Sequence, residues 1–441
     1  MGAEMKEPLR TVKLLTAAFV LTLAGFLLFA CQNSPGTSKG PENVGSDNTV
    51  SNSDGGSESS SNNLVLRRGN STYLTMYDFV VDGSTMDDFN VSRCEARILR
   101  IDDTEGAQAE EIYRISITEE GINSIYIPSL YVEDDILYFV EGLRYLRSGS
   151  TEYHIKIKSL DLGSSDSEPV SIGLKMKPGV SIPEELFEIL SRGYSDVEGD
   201  IETLILEGLL FDSCPKGKYA YSFYTGLGEY EKPFLFVFDI TNGEIEFREG
   251  QEPVSADVGA SLILVTDEYI YYVKTVYSDQ SQGVYRADLT TFIEEGEQLF
   301  ALPSGSFIVG GLNYSGVVKT EDSLYYLLHF WSPHAQAGET ALYRFDLDTR
   351  EETLIVTSMY LTSFQVSGST VYYFDPMNLH SYDVKSKKNK LLIRGSGYNS
   401  ILSEPSLTGG WIYFFSEESS EYDRGLKRVK PDASEYPTDF L

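Results

Sequence analysis

Tryptophan, histidine and cysteine are scarce in this 441-residue chain, at 2, 4 and 3 residues. Three cysteines, Cys31, Cys94 and Cys214, cannot make a disulfide scaffold. Cys94 and Cys214 are better read as buried thiols than as a bridge, since cysteine packs as an apolar side chain. The histidines, His154, His329, His334 and His380, are too few and too scattered for a metal centre, which needs three or four converging ligands. His329 and His334 bracket the loop His-Phe-Trp-Ser-Pro-His, but no third ligand is marked nearby. Positive charge is short too: 35 Lys and Arg stand against 67 Asp and Glu, a formal −32. That excludes a nucleic-acid surface, which needs cations for phosphates, and disfavours lying flat on anionic lipid. It gives a soluble acidic exterior.

Catalytic signatures are absent as well. The sequence has no Gly-x-Ser-x-Gly elbow, His-Glu-x-x-His, phosphate loop or full calcium loop. Ser213-Cys214-Pro215-Lys216 fits Ser-x-x-Lys without its companion motifs. Asp346-Leu347-Asp348 begins like a calcium loop, but Arg350 stands where an oxygen ligand is wanted, so a hairpin turn fits better. No cofactor and no metal are expected.

What is present begins with an address. Lys6, Arg10 and Lys13 precede an apolar run from Leu14 to Ala30, a charged n-region and an h-region. The run ends Leu28-Phe29-Ala30-Cys31, which resembles a bacterial lipoprotein signal, with Phe29 where a small residue is usual. The resemblance implies cleavage before Cys31 and a lipid on its sulfur, over residues 1–30. It places the rest at the cell membrane, lipid-anchored and facing the outside of the cytoplasmic membrane. Residues 31–63, mostly Ser, Gly and Asn, cannot bury enough surface to offset ordering and read as a tether. Its root-mean-square reach is on the order of 30 Å.

From 64 to 441 one pattern returns. An aromatic run is followed by a short run closing on Asp, as in Leu324-Tyr325-Tyr326-Leu327 then Tyr343-Arg344-Phe345-Asp346, and Val371-Tyr372-Tyr373-Phe374 then His380-Ser381-Tyr382-Asp383. Aromatic and β-branched runs bounded by Gly, Asp, Ser and Asn are strands. Seven such hairpins, about 55 residues apart on average, read as an all-β β-propeller of seven blades, with six or eight also compatible. The last copy, Lys427-Arg428-Val429, lacks its Asp. Ser181, Pro183 and Glu184-Glu185 predict one short helix near 181–192, inserted between the second and third blades.

These hairpins resemble those of bacterial lipoproteins with a propeller like that of the low-density-lipoprotein receptor. That fold repeats Tyr-Trp-Thr-Asp, whereas this chain reads Ile-Tyr-Tyr, Leu-Tyr-Tyr and Val-Tyr-Tyr, and only Val371-Tyr372-Tyr373-Phe374-Asp375 keeps an Asp nearby. The resemblance implies a fold and leaves function open.

The loops joining second to third strands share one rim. Tyr and Trp there suit recognition, and arginines suit a carboxylate or phosphate. The candidate ligand residues are Arg144, Tyr145, Arg147, Tyr224, Tyr230, Tyr277, His329, Trp331, His334 and Tyr422, against the alternative that such aromatics fold back on their own blades. The functional expectation is a monomeric, lipid-anchored binding module for a peptide, cell-wall glycan or envelope protein. The alternative is a propeller hydrolase or lyase with a metal or carboxylates in the central channel.

Overall fold

The computed structural model describes residues 65–439 except 83–89, 103–107, 119–121, 148–149, 165–166, 193–199, 212, 226–229, 251–256, 291–295, 310–315, 331–338, 359–360, 362, 376–377, 395–400, 409, 418–423 and 433–437. The signal, the tether and Cys31 therefore lie outside the described residues. The described strands form seven sheets in chain order, over 65–117, 122–172, 214–249, 258–302, 306–358, 364–394 and 401–439. Each repeated hairpin supplies the second and third strands of one sheet, for instance Ser323–Phe330 and Glu339–Asp346 in sheet 5. First strands approach one another between sheets 1 and 2, 3 and 4, 4 and 5, and 6 and 7, and that of sheet 7 approaches that of sheet 1. The first strands thus surround the axis, and the protein is an all-β propeller with two short helices.

The Tyr-Tyr pair explains the ring. Adjacent strand residues point to opposite faces, so the two tyrosines of one pair serve two different seams. Tyr272 packs toward sheet 3 and Tyr271 toward sheet 5. Tyr326 packs toward sheet 4 and Tyr325 toward sheet 6. Tyr373 packs toward sheet 5 and Tyr372 toward sheet 7. Tyr413 then meets Leu74, Met76 and Leu99 of sheet 1. A fully buried side chain of this size contributes roughly 1.5–3 kcal/mol, whereas an exposed ion pair contributes about 0–1 kcal/mol. The seams hold the ring.

Sheet 3 receives a fifth strand, Lys175–Met176, which pairs parallel with Glu244–Glu249 and so straps sheet 2 to sheet 3. Gly243 permits the crossing: a Cβ there would lie 2.1 Å from the Gly173 carbonyl oxygen. Between these sheets sit α1 (Glu184–Ser191) and α2 (Ile201–Phe211). The single expected helix is thus corrected to two. Pro183, not Ser181, occupies the first cap, and it forms no side-chain cap bond. Asp200 starts α2, accepting bonds from the Glu202 amide at 3.1 Å and the Thr203 hydroxyl at 2.9 Å. Leu206, Leu209 and Leu210 pack there with Phe236 and Ile155.

Candidate functional site

At one rim, the end of the third strand meets the start of the second. In sheets 1 to 6 an Asp stands at that end, opposite Ser71, Ile136, Tyr219, Tyr269, Ser323 and Thr370 in turn. In sheets 2 to 6 the Asp side chains cap the turn into the fourth strand: Asp161 accepts the Gly163 amide at 2.9 Å, Asp239 the Thr241 amide at 2.9 Å, Asp288 the Thr290 amide at 2.8 Å, Asp346 the Thr349 amide at 2.9 Å and Asp383 the Ser386 amide at 2.6 Å. The next residue donates its amide to the preceding turn, as in Ile240 to Lys218, Leu289 to Glu268, Leu347 to Asp322 and Val384 to Ser369. This is an Asx turn repeated around the ring. The Thr349 amide holds the Asp346 carboxyl below its ordinary range, and the Ser386 side chain, then its amide, do the same for Asp383.

Sheet 7 breaks the rule. One step beyond the pair Ile412–Val429, Lys430 stands opposite Trp411, in the place Asp holds elsewhere. Its ammonium lies 3.7 Å from the centre of the Trp411 ring, and the Arg428 guanidinium lies 4.1 Å from it. Cations over an indole face are attracted by its quadrupole.

The neighbouring sheet 6 carries the densest positive charge. Residues 385–394 hold Lys385, Lys387, Lys388, Lys390 and Arg394 and no carboxylate, and all five side chains are exposed. Lys387, Lys388 and Arg394 form no ion pair with a described residue. Charge on an outer strand is expected, since it discourages edge pairing. Yet the equivalent strands of sheets 1, 3, 4 and 5 carry Glu110, Glu244, Glu297 and Glu352, so edge protection alone does not select lysine.

The register explains how the two sheets share this charge. Lys390 and Lys388 pair with Ser381 and Asp383, on the face that Tyr372 turns toward sheet 7. Lys390 donates to the Asp432 carbonyl at 3.1 Å, linking the walls. On sheet 7, Lys427 lies two residues from Val429, which packs into the same seam. Other seams balance their charge: Lys216 pairs with Asp267 between sheets 3 and 4, and Arg350 with Glu297 between sheets 4 and 5. Between sheets 1 and 2, buried Glu141 accepts a bond from the Tyr113 hydroxyl and pairs with Lys158 at 2.8 Å. Burial, then Glu141, raise the Tyr113 phenol, so it stays a donor.

The described residues expected at the opposite rim are spread over sheets 2, 3, 4 and 5. Tyr145 is buried in the seam of sheets 1 and 2, edge-on to His154 at 5.4 Å. Arg144 is half-buried beside it, and Arg147 ends the same strand opposite Ser150. Tyr224 stacks on Phe234 at 4.9 Å. Tyr230 is buried against the same ring, its hydroxyl bonded to Glu249. Tyr277 of sheet 4 is exposed. His329 of sheet 5 is buried, 3.1 Å from the Thr340 hydroxyl, and burial lowers its pKa. Trp331, His334 and Tyr422 lie outside the described residues. Of the other histidines, His154 is exposed and His380 stacks on Tyr373, with Nε2 2.9 Å from Asp375. Cys94 and Cys214 are free thiols in different sheets, and burial pushes Cys94 up to about 11. Among the described residues no three His, Cys, Asp or Glu side chains group as metal ligands. The lysine-lined seam was missed, although the string Lys-Ser-Lys-Lys-Asn-Lys in an acidic chain could have marked it.

No family model and no curated protein sequence matches the chain. Among solved structures it is similar to oligogalacturonate lyase from Vibrio parahaemolyticus, at 11% identity and TM-score 0.37 over 80% of this chain and 99% of that one. Another is polysaccharide lyase Uly1, at 9% and 0.42 over 84% and 90%. A third is prolyl oligopeptidase B from Galerina marginata, at 10% and 0.43 over 69% and 42%, so this chain spans less than half of that peptidase. Likeness of this degree assigns no activity. The resemblance to lipoproteins with a receptor-like propeller rests on the hairpin residues alone.

Proposed function

We propose that this protein is a binding module, held by a lipid on Cys31 at the outer face of the cytoplasmic membrane, that takes an anionic ligand on sheets 6 and 7. The observation that carries this is the replacement of the rim Asp by Lys430 beside the lysines of 385–390. A chain of formal charge −32 concentrates its cations there, and a cationic patch attracts and orients an anionic partner. The test is equilibrium binding of the full-length chain to carboxylated and phosphorylated ligands at low and high salt. Binding that weakens with salt and is lost in Lys388→Glu/Lys390→Glu supports the reading. Binding indifferent to both overturns it. The lipid anchor is tested separately by mass spectrometry of the membrane-extracted protein, where an unmodified Cys31 would contradict it.

A further inference from the structure

Resting on that reading, we infer that the ligand is an extended anionic polymer, with carboxylates repeated along its length, lying in the seam between sheets 6 and 7. The site is linear. The outer strand Lys388–Arg394 is roughly 20 Å long at the usual rise per residue. Its lysines form one wall and Lys427 stands on the other, and Lys385, Lys387 and Lys430 continue the charge onto the rim. A compact anion reaches two or three of these cations. A polymer engages them together, and linked contacts raise apparent affinity by about 100-fold or more over a single unit.

Charge complementarity favours a polymer over a bilayer. A membrane presents a plane, and the same rim carries Asp239, Asp288 and Asp346 on neighbouring sheets. Docking the rim on an anionic plane would press these carboxylates against like charge. A strand of polymer confined to one seam avoids those three carboxylates and meets Asp383, which lies opposite Lys388 beside four further cations of 385–394. The five cations of 385–394 outnumber the Asp383 carboxylate that lies opposite Lys388, whereas the seams on either side of sheet 4 pair a cation with a carboxylate.

The experiment uses the full-length chain in detergent with four probes: polygalacturonate, galacturonate monomer, phosphatidylglycerol vesicles and single-stranded DNA. The expected result is binding to polygalacturonate about 100-fold tighter per chain than to the monomer, with a steep loss as salt rises. Lys385→Glu/Lys388→Glu/Lys390→Glu abolishes it, and the same reversals at exposed Lys156, Lys175 and Lys232 leave it in place. Equal affinity for monomer and polymer overturns the extended ligand while leaving the anion-binding reading intact. Vesicle binding without polymer binding names a bilayer instead, and DNA binding without polygalacturonate binding names a nucleic acid; either overturns the inference. No binding to any probe overturns both the inference and the function it rests on. A melting temperature matching the parent chain shows that the triple variant is folded.

Discussion

The two rims of this propeller solve the same problem, reversing a chain, in opposite ways. At one, first-to-second strand turns are short, as with Asp134-Asp135, both at positive φ, and Gly217-Lys218. Third strands there close on a capping Asp whose neighbour docks on the preceding turn. At the other rim, second-to-third connections range from two residues between Arg147 and Ser150 to nine between Tyr224 and Phe234. The constant rim looks purely architectural, and that constancy is what makes it informative. Where every sheet keeps one device, the sheet that abandons it marks a different demand. The variable rim offers no such baseline, and several of its aromatics fold inward.

The strongest way to break this comparison is to attack what holds the sheets beneath both rims. Glu141→Leu leaves Lys158 partly buried without its carboxylate and should cost about 3–5 kcal/mol. The double variant with Lys158→Met should recover most of that, read as denaturation midpoints. The seam tyrosines give the next effect. Burial pushes Tyr221 and Tyr271 up to about 12, whereas an unfolded phenol titrates near 10.0. The folded state then keeps protons the unfolded chain releases. Their contribution is therefore complete below pH about 10 and falls as pH rises toward 12. Urea midpoints that stay level across that window would deny that these hydroxyls are buried.

Smaller effects sharpen the contrast between rims. Asp239→Ala removes the acceptor for the Thr241 amide and hydroxyl and the partner of Lys218. It should cost about 1–2 kcal/mol. Lys430→Asp restores the repeat in sheet 7 and should change stability by less than about 0.5 kcal/mol, while weakening anion binding. A large loss of stability would make Lys430 a structural residue of its seam with Trp411.

Much of the fold was legible because its units are local. The pairs Tyr325-Tyr326 and Tyr372-Tyr373 are apolar on both strand faces, and Asp346 and Asp383 end strands by capping turns, all within hairpins that sequence order alone defines. The first strands were harder to see: in sheet 5 this strand is split into Ser306–Ile308 and Val317–Lys319. Helix α2 was hidden because Ile205, Leu206, Leu209 and Leu210 leave almost no polar face, as suits a helix packed among other elements. The candidate site was not legible. Lys390 and Asp432 belong to different sheets, and their contact depends on register and a bulge at Leu379/His380, which no spacing announces. Tyr145 and Tyr230 looked like rim residues for the complementary reason: a tyrosine at a strand end points in or out according to its register.

Lysine reactivity in the presence and absence of polygalacturonate tests the central claim most directly. Acetylation of the intact chain, mapped by mass spectrometry, should show protection at Lys385, Lys387, Lys388, Lys390, Lys427 and Lys430, with Lys156 and Lys175 unchanged. Protection spread evenly over the surface, or confined to lysines of sheets 2 and 3, would contradict it.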